Sequence, residues 1–264
     1  MRLANHKIIT PCPTNIQQMN KLELIRHLAT KNRSNKTPAC KTVASSLGID
    51  EGTIRAMVNS INSDGIYKIS TGYGGGLKLD GGPVKEKDIY PFVEHHADKW
   101  VQLNIFGHRG VTAQKTNPTH KRKLDGKWST PDFTLLCVHK SLHAPQNWIE
   151  LVTIEVKHAE AQFNVACVYE ALAHTRVATY SVLFFYDCPH NTIADRKLDK
   201  VLEEIRVECV RLGVGLVISQ YPADLESWQY LIPAKKHEPD IRRIDAFIEE
   251  AFDKKDQDWL KKML

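Results

Sequence analysis

No stretch of this sequence approaches the roughly 20 apolar residues of a membrane helix, and its start shows no charged segment running into a long apolar one. The expectation is a protein that neither spans a membrane nor is exported, with a cytoplasmic location. Closely spaced cysteines are also missing. The six present, at positions 12, 40, 137, 167, 188 and 209, are too scattered for a structural zinc site. Cys137 and Cys167 lie in apolar runs, where a free cysteine behaves as a small hydrophobe. No disulfide framework is expected, in keeping with a reducing compartment. The glycine-rich stretch 72–76 is not followed by the lysine and hydroxyl residue that open the helix of a phosphate loop. No histidine pair has His-Glu-x-x-His spacing, and the adjacent His95 and His96 do not face each other on a helix. His139, His143, His158, His174 and His190 read as isolated surface or core side chains.

What is present is ordinary globular material: 264 residues, 42% hydrophobic and 25% charged, enough for a core and for one or two domains. The net charge of +5 is unevenly spread. Residues 1–80 hold 11 lysines and arginines against 5 acids, residues 81–130 hold 9 against 5, and residues 131–264 hold 16 against 21. The basic charge sits in the first half, and a polyanion is its natural partner.

Leu22, Leu24, Ile25 and Leu28 predict a helix over 20–31. Thr37-Pro38 starts a short helix with Val43, Ala44 and Leu47 on one face, closed by Gly48. Asp50 caps a third helix running to about residue 64, with Ile54, Met57, Val58 and Ile61 inward and Gly65 at its end. Helix, short helix, tight turn, helix is a helix-turn-helix arrangement. Residues 66–71 then alternate like a strand, 72–76 make a glycine-rich turn, and 77–79 return. Over roughly 15–80, the segments TVASSLGIDEGTIRAMVNSINSDG and GYGGGLKLD resemble the winged-helix DNA-binding family. The resemblance implies double-stranded DNA as partner. Thr53, Arg55 and Asn59 would project from the third helix to the major groove, and Lys36 and Lys41 would reach phosphates. The wing, with Tyr73 at its turn, would follow the backbone or minor groove. Glu51, at the start of the same helix, repels phosphate and argues the other way.

Gly81-Gly82-Pro83 and the charged residues after it read as a linker, dividing the chain into domains 1–82 and 83–264. A helix follows over 88–104, with Ile89, Phe92, Val93, Ala97, Trp100 and Val101 on one side. Residues 106–126 are poorly periodic and basic. They read as a long irregular loop whose Lys115, Lys121, Arg122 and Lys123 suit phosphate contact.

The segment 127–158 carries the chemistry. Asp132 leads into an apolar strand over 133–138, and a loop turns the chain into a second apolar strand over 148–156. Alternation puts Glu155 and Lys157 on one face of that strand. If the two strands pair as a hairpin, Asp132 arrives at the same end, at one sheet edge open to solvent. Phosphodiester hydrolysis needs a hydroxide-like nucleophile and neutralisation of the charge on its transition state. Two carboxylates, Asp132 and Glu155, can hold a hard divalent cation, most plausibly Mg2+ with Mn2+ as substitute, and the Val156 carbonyl is a possible further ligand. Such an ion lowers the pKa of bound water and polarises the phosphate. Lys157 beside it would position the water and add positive charge.

Pro131-Asp132 and Glu155-Val156-Lys157 resemble the PD-(D/E)xK nuclease superfamily, the restriction-endonuclease-like fold. That implies an α/β core with a mixed central sheet flanked by helices, here preceded by a small winged helix-turn-helix domain. The family often has an acid on the helix before the core, which makes Glu94 a fourth catalytic candidate, with Asp98 as substitute. The expected later helix and strand fall at 160–175 and 179–186. Gln162, Tyr169 and Glu170 could border the site, without matching the glutamine-tyrosine spacing of the exonuclease branch. The layout also looks like winged-helix nucleases of restriction, phage-defence and mobile-element systems. The catalytic subunit of heteromeric transposases has a similar PDF…EVK core. The implied activity is metal-dependent DNA endonuclease cleavage, with a homodimer or partner subunits of a defence or transposition system as possible assemblies. The alternative is a non-catalytic winged-helix DNA-binding regulator.

Towards the end, 198–212 reads as an amphipathic helix, 214–218 as a buried strand, 228–233 as a short strand, and 241–252 and 256–263 as helices of mixed charge.

Overall fold

The computed structural model describes residues 16–34, 36–72, 74–82, 85–107, 111–121, 130–140, 147–159, 163–187 and 196–264. They form two compact units, Met1–Asp80 and Gly81–Leu264, divided two residues before the break that the glycine-rich linker suggests.

The first unit holds α1 (Ile16–Arg33), α2 (Cys40–Leu47), α3 (Glu51–Asp64) and a hairpin of β1 (Lys68–Thr71) and β2 (Leu77–Gly81). Its core is the apolar stripe of each element: Leu24, Ile25 and Leu28, then Val43 and Ala44, then Ile54, Met57, Val58 and Ile61, closed by Ile69, Leu77 and Leu79. Gly48 and Gly65 end α2 and α3 in left-handed conformations, at φ 67° and 75°. Asp50 caps α3 by accepting the Thr53 N–H at 2.9 Å. One contact is invisible to periodicity. Ala39 bridges Gly76, the Cys40 N–H donates to the Gly75 carbonyl, and the Leu77 N–H donates to the Pro38 carbonyl. A Cβ on Gly76 would lie 3.0 Å from the Thr37 carbonyl oxygen, so this close approach calls for glycine.

The second unit is mixed α/β. Six strands, β3 (Val111–Asn117), β4 (Phe133–His139), β5 (Trp148–His158), β6 (Tyr180–Tyr186), β7 (Gly215–Ser219) and β8 (Gln229–Ile232), lie side by side in sequence order. β3, β4 and β5 pair antiparallel, β5, β6 and β7 parallel, and β8 returns antiparallel. Every residue of β4 and β6 is buried, as strands covered on both faces require. On one face, α5 (Ala166–Ala173) and α6 (Arg196–Leu212) pack on Leu183, Phe185, Leu216 and Ile218, while α7 (Ile241–Ala251) and α8 (Lys254–Met263) cover Leu136, Val138 and Leu151. On the other face, Phe133 meets Tyr90 of α4 (Glu86–Val101) and Phe184 meets Trp228.

Four sequence expectations change. The helix expected to start at Thr37-Pro38 starts at Cys40, because Pro38 and Ala39 pair with the hairpin instead. Residues 111–117 form an edge strand rather than a loop. The helix expected over 88–104 starts at Glu86 and gives way after Val101 to a wider π-helical turn, Gln102–Phe106. The helix expected over 160–175 is the shorter α5, followed by a 3-10 turn, His174–Arg176. Cys40, Cys137, Cys167 and Cys209 are buried free thiols, whereas Cys12 and Cys188 lie outside the described residues. Among the described residues no helix is long and apolar enough to cross a membrane.

Candidate functional site

The antiparallel register of β4 and β5 pairs Phe133 with Ile154, so Asp132, one residue before β4, falls beside Glu155 and Val156. Its Oδ2 accepts the Val156 N–H at 2.7 Å. Glu155 and Lys157 share a face of β5, with Nζ 2.6 Å from Oε1. The fold thus brings Asp132, Glu155 and Lys157 together at the end of β5. It does not place them at an open edge. β5 is an interior strand, and the three side chains are only 9%, 3% and 5% exposed.

Buried charge is costly unless it is paired and hydrogen-bonded, and the surroundings supply partners. The Tyr90 hydroxyl of α4 donates to Asp132 Oδ1. The His120 ring lies against the Tyr90 ring, and its backbone N–H donates to the Asp132 carbonyl at 2.9 Å. The second oxygen of Glu155 meets His174 Nε2 at 3.0 Å. Lys157 reaches two further acids, Glu170 of α5 at 3.1 Å and Glu86 at the start of α4 at 4.0 Å. Glu86 Oε1 is buried with no hydrogen-bond partner.

These contacts set the protonation states. Burial, and then the Glu155 charge, push Asp132 up to about 6 against the opposing bonds from Tyr90 and Val156. Burial also raises Glu155 and Glu86, each opposed by Lys157. Burial pulls Lys157 down, but Glu155 and its neighbouring acids outweigh this and hold the ammonium above its ordinary value. His174 is pushed down to about 4 by burial, which makes it a neutral imidazole at neutral pH. Tyr90 is raised by burial and by the adjacent Asp132, so its hydroxyl keeps its proton.

The other candidates divide. Glu94 is exposed on α4, and no contact among the described residues ties it to the cluster, so Glu86 replaces it as the acid of that helix. The reason is rotational. The buried stripe of α4 runs through Ile89, Val93, Ala97 and Trp100, and Glu94 follows Val93 outward while Glu86 and Tyr90 flank the stripe at the site end. Asp98 is held by Gln114 and Thr116 of β3. The N–H and C=O of one residue in an extended strand point to the same side, so the Val156 carbonyl faces the Asp132 side with its N–H. Lys115 is not free for phosphate, because its ammonium pairs with Asp256 of α8, which also accepts from Asn117. Lys121 is exposed at the end of the turn Thr119–Lys121.

In the first unit Lys36, Lys41, Arg55 and Asn59 are exposed. Arg55 pairs with Glu51 at 2.6 Å, an exposed, solvent-screened contact that a phosphate can replace. Thr53 is committed to its cap through both N–H and hydroxyl. Arg55 and Asn59 line a cleft of about 440 Å3 with Thr71, Gly72 and Gly75 of the hairpin. Tyr73, Arg122, Lys123 and Gln162 lie outside the described residues. Tyr169 is exposed.

Sequence reasoning missed Glu86, Tyr90 and His174, and it undervalued Glu170. A signal existed. Glu86 and Tyr90, and Glu170 and His174, are each four residues apart, which is one helix face.

The oxygen types of Asp132, Glu155 and Glu86 are those a hard divalent cation takes, and Glu86 Oε1 makes no hydrogen bond among the described residues, only the 4.0 Å ion pair with Lys157. As they stand, no three His, Cys, Asp or Glu side chains among the described residues are grouped to hold an ion, because the acids close on the Lys157 ammonium. The chain matches no protein-family model and no curated protein.

Proposed function

We propose that this chain is a Mg2+-dependent DNA endonuclease whose second unit is a restriction-endonuclease-like core and whose first unit is a winged helix that holds duplex DNA. The observation that carries the reading is the meeting of Asp132, Glu155 and Lys157 at the end of β5, with Val156 bonded to Asp132. A surface ion pair would contribute little at such a place, whereas buried acids facing an ammonium are costly to assemble and call for a use.

In this reading Asp132, Glu155 and Glu86 would hold the ion, with the Val156 carbonyl as a further ligand. The chemistry a bound ion supplies is a coordinated water of lowered pKa and a polarised phosphate. Tyr90 and the Val156 N–H keep the Asp132 carboxylate aimed. Lys157 would leave Glu155 to the ion, position the attacking water with its ammonium and add positive charge beside the phosphate as negative charge builds there. Burial excludes bulk water and strengthens each of these contacts.

A second reading, a DNA-binding regulator with a silent core, draws on the closure of the acids around Lys157. Plasmid DNA incubated with the protein and Mg2+ or Mn2+ separates the two. The nuclease reading expects nicked or linear product, slowed at least about a hundredfold by Asp132→Ala. Duplex binding without cleavage in either metal gives the regulator reading instead.

A further inference from the structure

We infer that α5 and the 3-10 turn that continues it are the positioning element of the site, with Glu170 and His174 holding Lys157 and Glu155 in register. The inference rests on the nuclease reading for its purpose, though its geometry stands by itself. Glu170 and His174 are four residues apart, a rise of about 6 Å along a helix. Glu155 and Lys157 are two residues apart, about 6.6 Å along a strand. The spans match, and the contacts run in order: Glu170 to Lys157 at 3.1 Å, Lys157 to Glu155 at 2.6 Å, and Glu155 to His174 at 3.0 Å. The order is antiparallel, as it must be where a helix connects parallel strands β5 and β6. The Ser181 hydroxyl of β6 donates to the Ala171 carbonyl at 2.6 Å and fixes α5 between the two sites of contact.

His174 is the tighter of the two holds. It is 1% exposed, and among the described residues its Nδ1 is buried without a partner, so Nε2 alone bonds there and it bonds only Glu155. A ring giving its Nε2–H to a carboxylate orients that carboxylate. Glu170 holds Lys157 from the helix side, so the ammonium keeps a partner when Glu155 turns to another cation. Neither residue touches the reacting atoms in this account. Both act through the β5 pair.

Two measurements test this. In metal-free protein labelled with 15N at histidine, the His174 signals, identified by their loss in His174→Leu, are expected to show the Nε2–H tautomer and to shift in Glu155→Gln. An Nδ1–H tautomer, or no response to Glu155→Gln, overturns the inference whether or not the protein cuts DNA. In cleavage, His174→Leu is expected to lower kcat more than tenfold with KM for DNA within about twofold, while His174→Gln, which keeps a donor at the same reach, recovers most of the loss. Glu170→Gln is expected to lower kcat less. Where the wild type cuts, equal activity of His174→Leu also overturns it. A wild type that shows the expected tautomer and response yet never cuts sinks the nuclease reading and leaves the clamp.

Discussion

Asp132 carries the most consequence at the scale of single residues. Its carboxyl rises from an ordinary 3.8 to about 6 on folding, chiefly through burial. Below 3.8 it is protonated in both folded and unfolded chains. Between 3.8 and about 6 only the folded chain keeps the proton, so its contribution to stability falls as pH rises through that window and is level above it. The fall is about 3 kcal/mol at most. Urea unfolding in a chelator at pH 4 and pH 7 is expected to show Asp132→Asn gaining on wild type at the higher pH. An unchanged difference between the two proteins would rule out a raised carboxyl. Tyr90 favours the ionised form through its hydroxyl bond, so Tyr90→Phe is expected to move the acid limb of any cleavage profile to higher pH. Asp132, Glu155 and Lys157 are legible in sequence because a polar residue ending an apolar strand stands out. Tyr90 and His174 are not, since an aromatic or histidine on an amphipathic helix looks the same whether it packs against a core or bonds a carboxylate.

Elements are legible in proportion to how apolar they are. The runs of β4, β6 and β5 from Glu150 onward are buried on both faces and announce themselves. Residues 111–117, VTAQKTN, do not, because an edge strand alternates weakly and carries polar residues on both sides. The same weakness misleads about Lys115, whose charge looks available for phosphate only if β3 is a loop. The lysine ties the sheet edge to α8 through Asp256, which is only 6% exposed. Among the described residues, Lys115→Ala leaves that carboxylate with Asn117 alone. The expected cost is about 1–2 kcal/mol, reduced because the lysine is partly exposed, or a few degrees in Tm. DNA affinity at fixed salt is expected to stay level. An unchanged Tm with weakened DNA binding would return Lys115 to the phosphate-binding set.

Across the whole molecule, charge and chemistry are separated along the chain. Residues 1–80 carry a net +6, whereas residues 131–264, with Asp132, Glu155 and Lys157, carry a net −5. In the proposed reading a DNA-holding role falls to the first and an ion-holding role to the second, because acids that attract a cation repel a phosphate backbone until the cation is present. The two roles then fail differently. Lys36 and Lys41 are exposed, and removing one lysine from a phosphate reduces the slope of log affinity against log salt by about 0.9. Lys36→Ala with Lys41→Ala is therefore expected to flatten that slope by nearly 2 and weaken binding alike on unrelated duplexes. Cleavage by this variant should drop through KM at about 150 mM salt and return when the salt is lowered or the DNA concentration is raised. Asp132→Ala should recover under neither condition, since its defect lies in kcat. If the double lysine variant keeps the wild-type salt slope, the first unit is not what holds the DNA, and the basic turn ending at Lys121 becomes the place to look.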